Sequence, residues 1–191
     1  MRETITRELR EHYAEMERQR RRAWLVIAAG LVALAMIAWA WPVQAAPRRE
    51  PVPAFVVRVL DGDTVEVAGP LGPEAVRLTR VDCPEIAHRG RPGQPGGEQA
   101  RAFTASMVLG RWVVVRVHGR DRYGRVLADV DVQGRDLATE LVRAGWAWLY
   151  RRYSQDATLD ALEQQARQAK RGLWGLPSAP VPPWEWRRGK R

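Results

Sequence analysis

Cysteine is nearly absent. Cys83 is the only one in 191 residues, so no internal disulfide can staple the fold. A cysteine-rich zinc site is excluded for the same reason, and His12, His88 and His118 lie too far apart in sequence to suggest a histidine cluster. A metal, if one is used, falls to carboxylates. Lysine is almost missing too: Lys170 and Lys190 are the only two, so arginine carries the net charge of +9. That bias reads as composition, because arginine serves the same electrostatic role. Internal repeats are lacking. What is present is apolar material for a core, 46% of residues, which excludes wholesale disorder. The length fits one domain with appendages.

Charge and proline divide the chain. Residues 1–22 mix arginine and glutamate and end in Arg20-Arg21-Arg22, a solvated tail with some helical spacing. Ala23 to Val43 is a run of 21 residues with no charge, flanked by Trp24, Trp39 and Trp41. At ~1.5 Å per residue it predicts a helix crossing a ~30 Å hydrocarbon core. The arginines before it place residues 1–22 in the cytoplasm and the remainder outside the membrane. Val43-Gln44-Ala45 offers the competing reading of a signal sequence, with secretion if cleaved after Ala45. Residues 46–54 read as a linker, 55–176 as the globular domain and 177–191 as a Pro-rich tail ending in aromatic and basic residues. Such a tail suits a disordered appendage, or contact with nucleic acid or lipid headgroups.

Within the domain, strands come first. Phe55–Leu60 and Thr64–Val67 flank the turn dipeptide Asp61-Gly62 as a hairpin. Alternation predicts further strands at Ala75–Val81, Trp112–Val117 and Arg125–Val130. Helices are predicted at Glu98–Leu109, at Asp136–Ala144 with Asp136 as cap and Gly145 as stop, and at Thr158–Arg171. Five strands with a helix between the third and fourth fit an α+β, β-rich fold. The expected form is a five-stranded OB-type Greek-key barrel with about three packed helices, preceded by one transmembrane helix.

Four clusters carry candidate chemistry: Asp61-Gly62-Asp63-Thr64, Arg77, Val81-Asp82-Cys83-Pro84-Glu85, and Asp121-Arg122-Tyr123-Gly124-Arg125. Each alone is ordinary; a DG turn is common and a lone strand arginine is usually solvated. Together they supply what cleavage of an anionic phosphodiester requires. Asp63 and Asp82 offer hard oxygens to Ca²⁺. Arg77 and Arg125 can fork onto phosphate oxygens. Glu85 can take or orient a water proton.

These segments resemble the staphylococcal nuclease (thermonuclease) family. Val56–Val65 is similar to its opening, and Val76-Arg77-Leu78-Thr79-Arg80-Val81-Asp82-Cys83-Pro84-Glu85 to its R-L-x-x-x-D-[TAC]-P-E pattern. Asp121–Ala128, Leu141-Val142-Arg143-Ala144-Gly145 and Gly172-Leu173-Trp174 follow in family order. The resemblance implies the barrel, Ca²⁺ dependence, and hydrolysis of DNA and RNA to 3′-phosphate and 5′-hydroxyl ends. It implies Asp63 and Asp82 as metal carboxylates, with the backbone carbonyl of Cys83 beside them. Glu85 becomes the base or water-orienting group, and Arg77 and Arg125 the catalytic arginines. Tyr123 and Arg122 match nucleotide-pocket positions. Tyr150 and Tyr153 are pocket candidates in a Trp- and Arg-rich stretch, 146–153, that departs from the family pattern. The Gly- and Pro-rich loop 86–97 departs as well and is a candidate for touching substrate.

The sequence thus predicts a Ca²⁺-dependent nuclease acting on DNA or RNA. It is attached to the membrane through 23–43 and needs no obligate protein partner. The alternatives are a membrane-tethered nucleic-acid-binding module without useful catalysis and a periplasmic structural or partner-binding protein.

Overall fold

The computed structural model describes residues 50–190 apart from Leu71 and Arg89, and within 15–36 only positions 15, 16, 19–21, 23–25, 27, 28, 30–32 and 36. The chain divides into two compact units, Met1–Pro47 and Arg48–Arg191. In the first, the described positions are helical. Among the described residues no helix is long and apolar enough to cross a membrane. This overturns the spanning helix expected at 23–43, and with it the membrane attachment and the placement of the domain outside. Lack of charge permits a span and does not by itself make one. Residues 1–14 and 37–49, which include the cleavage position after Ala45, lie outside the described residues.

In the second unit, five strands close on themselves: β1 Val52–Asp61, β2 Thr64–Ala68, β3 Glu74–Leu78, β5 Trp112–Arg120 and β6 Val126–Val132. β1 pairs antiparallel with β2 and β5, β2 with β3, and β5 with β6. β3 and β6 run parallel and seal the barrel. Period-two alternation fills it: Val113, Val115 and Val117 of β5 and Val126, Ala128, Val130 and Val132 of β6 all point inward. β1 breaks the alternation. Its register passes from Val56 opposite Val67 to Arg58 opposite Glu66, leaving Val57 as a bulge. The extra residue lets both Val56 and Val59 face the core while Val57 stays exposed.

Three helices form as expected: α1 Gly97–Val108 packs on β1, α2 Leu137–Ala144 on β6, and α3 Ala157–Gln168 on α2. Asp136 caps α2 by accepting from the Thr139 N–H at 2.7 Å, and Gly145 ends it at φ 79°. Asp156 caps α3. Lys170, at φ 51°, follows where α3 stops, short of the expected Arg171.

Three boundaries depart from expectation. β1 begins at Val52, inside the supposed linker, because residues 52–55 pair with β5. The third strand does not run to Val81. It stops at Leu78, the chain turns at Arg80 (φ 65°), and β4 Val81–Asp82 pairs instead with β7 Trp148–Leu149. The tail is not a loose appendage. Pro183–Trp186 forms the one-turn helix α4, Pro183 is buried, and the Val181 carbonyl accepts from Gln94 Nε2.

Candidate active site

The site is built where the β1–β2 turn meets the end of β4. Asp61 Oδ1 accepts from the Asp63 N–H at 3.1 Å, tightening the turn. Gly62 is required by space: an added Cβ would lie 2.7 Å from Cys83 Cβ and 2.9 Å from Ala100 Cβ. Thr104 of α1 donates to the Gly62 carbonyl at 2.6 Å, tying the turn to the helix. The Asp63 carboxylate is thereby buried. Its Oδ2 accepts from the Cys83 N–H at 2.7 Å and its Oδ1 from the Thr64 hydroxyl at 3.2 Å.

Arg77 sits directly opposite Thr64 in the β2–β3 register. Its Nη1 lies 2.5 Å from Asp63 Oδ1 and its Nη2 2.7 Å from Asp82 Oδ1, so one guanidinium bridges the two carboxylates. The turn at Arg80 makes this possible by aiming β4 back at Asp63. Burial pushes the Asp63 carboxyl up. Arg77 pulls it down, Asp61 and Asp82 raise it again, and the net position is well above the usual carboxylate range. Burial also works against the Arg77 charge, but Asp63 and Asp82 outweigh it and hold that charge firmly. Glu85 lies at the mouth. Its backbone is fixed by Gln94, whose N–H donates to the Glu85 carbonyl at 2.7 Å.

The other expected residues are placed less uniformly. The Cys83 thiol is buried, and burial, then Asp63 and Asp61, push it well up, so it stays protonated and inert. Arg125 is not brought onto the carboxylates. Its Nε and Nη2 both lie 2.8 Å from Asp121 Oδ2 in the β5–β6 turn. The parallel pairing of Val76 with Val126 nevertheless puts Arg125 on the same side of the β3–β6 pair as Arg77. Tyr123 is exposed beneath Arg122, whose guanidinium lies 4.8 Å from the ring centre. Tyr150 and Tyr153 meet edge to face at 4.9 Å.

Two site residues escaped the sequence reading. Arg187 Nη2 lies 2.7 Å from Asp82 Oδ2, and Arg187 Nη1 lies 2.6 Å from Glu85 Oε1. Trp184 stacks on Tyr150, with ring centres 5.4 Å apart and planes 8° from parallel. The aromatic and basic tail was the available signal, but nothing in it tells which residues it folds against.

A profile of the family described as "Staphylococcal nuclease homologue" matches residues 75–175. The chain belongs to the staphylococcal nuclease homologue family. A protein of Escherichia coli named "Uncharacterized endonuclease" is 40% identical over 160 residues, covering 83% of this chain and 97% of its own length. A "Micrococcal nuclease" of Shigella flexneri is 36% identical over 147 residues, covering 71% of this chain and 80% of its own. "Protein ParB" of Escherichia coli is 39% identical over 180 residues, 88% of this chain and 94% of its own.

Nucleases of this family generally use Ca²⁺, and the donor chemistry here suits a hard cation. Among the described residues no three His, Cys, Asp or Glu side chains are grouped to hold a metal by themselves. Asp63 and Asp82 are nonetheless two buried carboxylates facing a common point. Asp61 and Glu85 stand nearby, and Arg77 from the barrel and Arg187 from the C-terminal segment oppose the acidic charge. Carboxylate oxygens of this kind suit a divalent cation with oxygen preference, completed by carbonyls and water.

Proposed function

We propose that the chain is a nuclease, a Ca²⁺-dependent phosphodiesterase that hydrolyses DNA or RNA by in-line attack of water, leaving 3′-phosphate and 5′-hydroxyl ends. The observation that carries this reading is the Asp63–Arg77–Asp82 bridge with Glu85 beside it, in a chain whose relatives are named endonuclease and micrococcal nuclease.

Asp63 and Asp82, with the Cys83 carbonyl, would hold the ion, which when bound supplies Lewis-acid stabilisation of a phosphoryl oxygen. Arg77 is held in place on two carboxylates and would turn its guanidinium donors to a phosphate oxygen as the ion takes over those carboxylates. Arg125 leaves Asp121 to take a second oxygen. Glu85 Oε accepts the proton of the attacking water. A carboxylate is a weak base, so most of the rate comes from arginine and cation charge already arranged around the phosphorus. Tyr123, Arg122, Tyr150 and Tyr153 would line the nucleotide pocket.

The test is cleavage of single-stranded DNA by the full-length protein with Ca²⁺, with chelator, and with Glu85→Gln. The expected result is Ca²⁺-dependent cutting that falls about 10²–10⁴-fold in the variant, the usual worth of a general base. Salt-sensitive binding without cutting in any divalent ion would instead identify a nucleic-acid-binding module.

A further inference from the structure

Beside Glu85 the structure leaves a cleft of about 670 Å³ that is lined by none of Arg122, Tyr123, Tyr150 and Tyr153. One wall is the loop after Glu85, with Ile86, His88, Arg91 and Pro92; the other is the C-terminal segment, with Trp186 and Arg187. The volume falls within the ~300–1,000 Å³ of small-molecule sites. The chemistry of its walls is specific: two guanidinium groups for anionic oxygen, and flat or apolar faces for a ring. A single-stranded nucleotide requires that combination.

The C-terminal wall is anchored at three points. Gln94 Nε2 donates to the Val181 carbonyl, Trp184 stacks on Tyr150, and Pro183 is buried. These contacts deliver Arg187 to the carboxylates. Its Nη1 donates to Glu85 Oε1 at 2.6 Å and to Asp82 Oδ1 at 3.2 Å, and its Nη2 to Asp82 Oδ2 at 2.7 Å. A guanidinium has five donors and cannot lose its proton, so its partners at rest are the nearest anions. Arg77 rests in the same way on Asp63 and Asp82. Arg187 thus covers Asp82 and Glu85 at rest, while the cleft beside them stays open.

We propose that this cleft binds the nucleotide adjoining the scissile phosphate of a single-stranded chain, and that Arg187 is a third phosphate-contacting arginine of the active site. The inference rests on the nuclease reading of the same site. The C-terminal segment is then part of the catalytic apparatus.

Full-length protein is compared with Arg187→Ala, Arg187→Lys and Arg188→Ala, the last removing an equal charge from an exposed neighbour. The first readout is affinity for a short oligothymidylate in chelator across a salt series. Loss of one phosphate contact lowers the log–log salt slope by about 0.7 for a single strand. That drop is expected for Arg187→Ala, while Arg187→Lys and Arg188→Ala keep the wild-type slope. The second readout is cleavage with Ca²⁺: kcat/KM is expected to fall about 10–100-fold in Arg187→Ala, the worth of one hydrogen bond to a charged group, with partial recovery in Arg187→Lys. Faster cleavage by Arg187→Ala would show an inhibitory strap and overturn the proposal. So would equal slope losses in Arg187→Ala and Arg188→Ala, or no change in either readout. Wild-type binding with the Arg187-specific slope loss but no cutting would leave the cleft assignment standing and overturn the nuclease reading.

Discussion

The Arg80 guanidinium reaches aspartates from three elements: Asp136 at 2.7 Å, Asp156 at 3.2 Å and Asp129 at 3.3 Å. It joins β6 to the N-caps of α2 and α3, and it does so from a left-handed residue that turns the chain toward Asp82. Burial pushes the Asp129 carboxyl up, but hydrogen bonds from Thr79 and His118 and the Arg80 charge outweigh it and hold it below the usual range. Asp156 is held low by the Leu159 N–H and, against some burial, by Arg80. Groups with lowered folded values add stability that is fully present above about pH 4 and is lost as pH falls through those values. Arg80→Met is therefore expected to move the acid-unfolding midpoint upward. It should also cost about 2 kcal/mol in urea unfolding at neutral pH, below the ~3–5 of a fully buried pair because a quarter of Arg80 is exposed. An unchanged acid midpoint would show that the three contacts are dispensable. Gly62 yields a second residue-scale expectation. Gly62→Ala forces a methyl into Cys83 and Ala100, an overpacking cost of about 1–3 kcal/mol, and displaces Asp63. Denaturant melts and Ca²⁺-dependent cleavage should fall together, whereas wild-type values in both would mean that the turn relaxes freely.

Among the elements, the end of α2 and the 3-10 turn Gly172–Gly175 meet at two glycines. The Leu173 N–H donates to the Gly145 carbonyl at 2.9 Å, and a Cβ on Gly172 would lie 2.5 Å from that same oxygen. A Cβ on Gly145 would run into the Arg171 carbonyl, at a φ of 79° that already disfavours a side chain. The two short motifs that close the domain in sequence are thus one contact in space. Gly145→Ala should lower stability by about 2 kcal/mol or more, steric and left-handed costs adding; a loss within 0.5 kcal/mol would sink this account. The barrel and helices could be read in advance because each rests on local pattern: alternation in β5 and β6, an aspartate cap and a glycine stop for α2. What could not be read depended on distant partners. The bulge at Val57 is a register event between strands, and the break at Arg80 answers to Trp148 and Leu149. The C-terminal segment has no periodicity, and Arg187 finds Asp82 across 105 residues. Asp63, Asp82 and Arg77 were legible as a group because they follow two turns closely; the resting contacts of Arg125 with Asp121 and of Arg187 with Asp82 were not.

For the molecule as a whole, the charge balance runs in two directions at once. A net charge of +9 attracts polyanions, yet the acidic side chains of Asp61, Asp63, Asp82 and Glu85 gather at the candidate site. Without a cation that cluster is opposed by Arg77 from the barrel and Arg187 from the C-terminal segment. A divalent ion bound there removes repulsion from the folded state and has no equivalent site in the unfolded chain, so it must stabilise by mass action. At a hundredfold excess over Kd the gain is about 2.7 kcal/mol, or roughly 5–10 °C in Tm for a domain of this size. Thermal unfolding followed by circular dichroism should therefore show a saturable rise in Tm with Ca²⁺. A smaller rise is expected with Mg²⁺, which demands octahedral geometry and gives up water reluctantly. Asp63→Asn should abolish the Ca²⁺-dependent part, because an amide oxygen without charge no longer draws the ion into a buried site. This measurement reads the ion's contact with the fold independently of any cutting. Identical melting in Ca²⁺ and in chelator would remove the cation from the mechanism and leave the carboxylates as fixed partners of the two arginines.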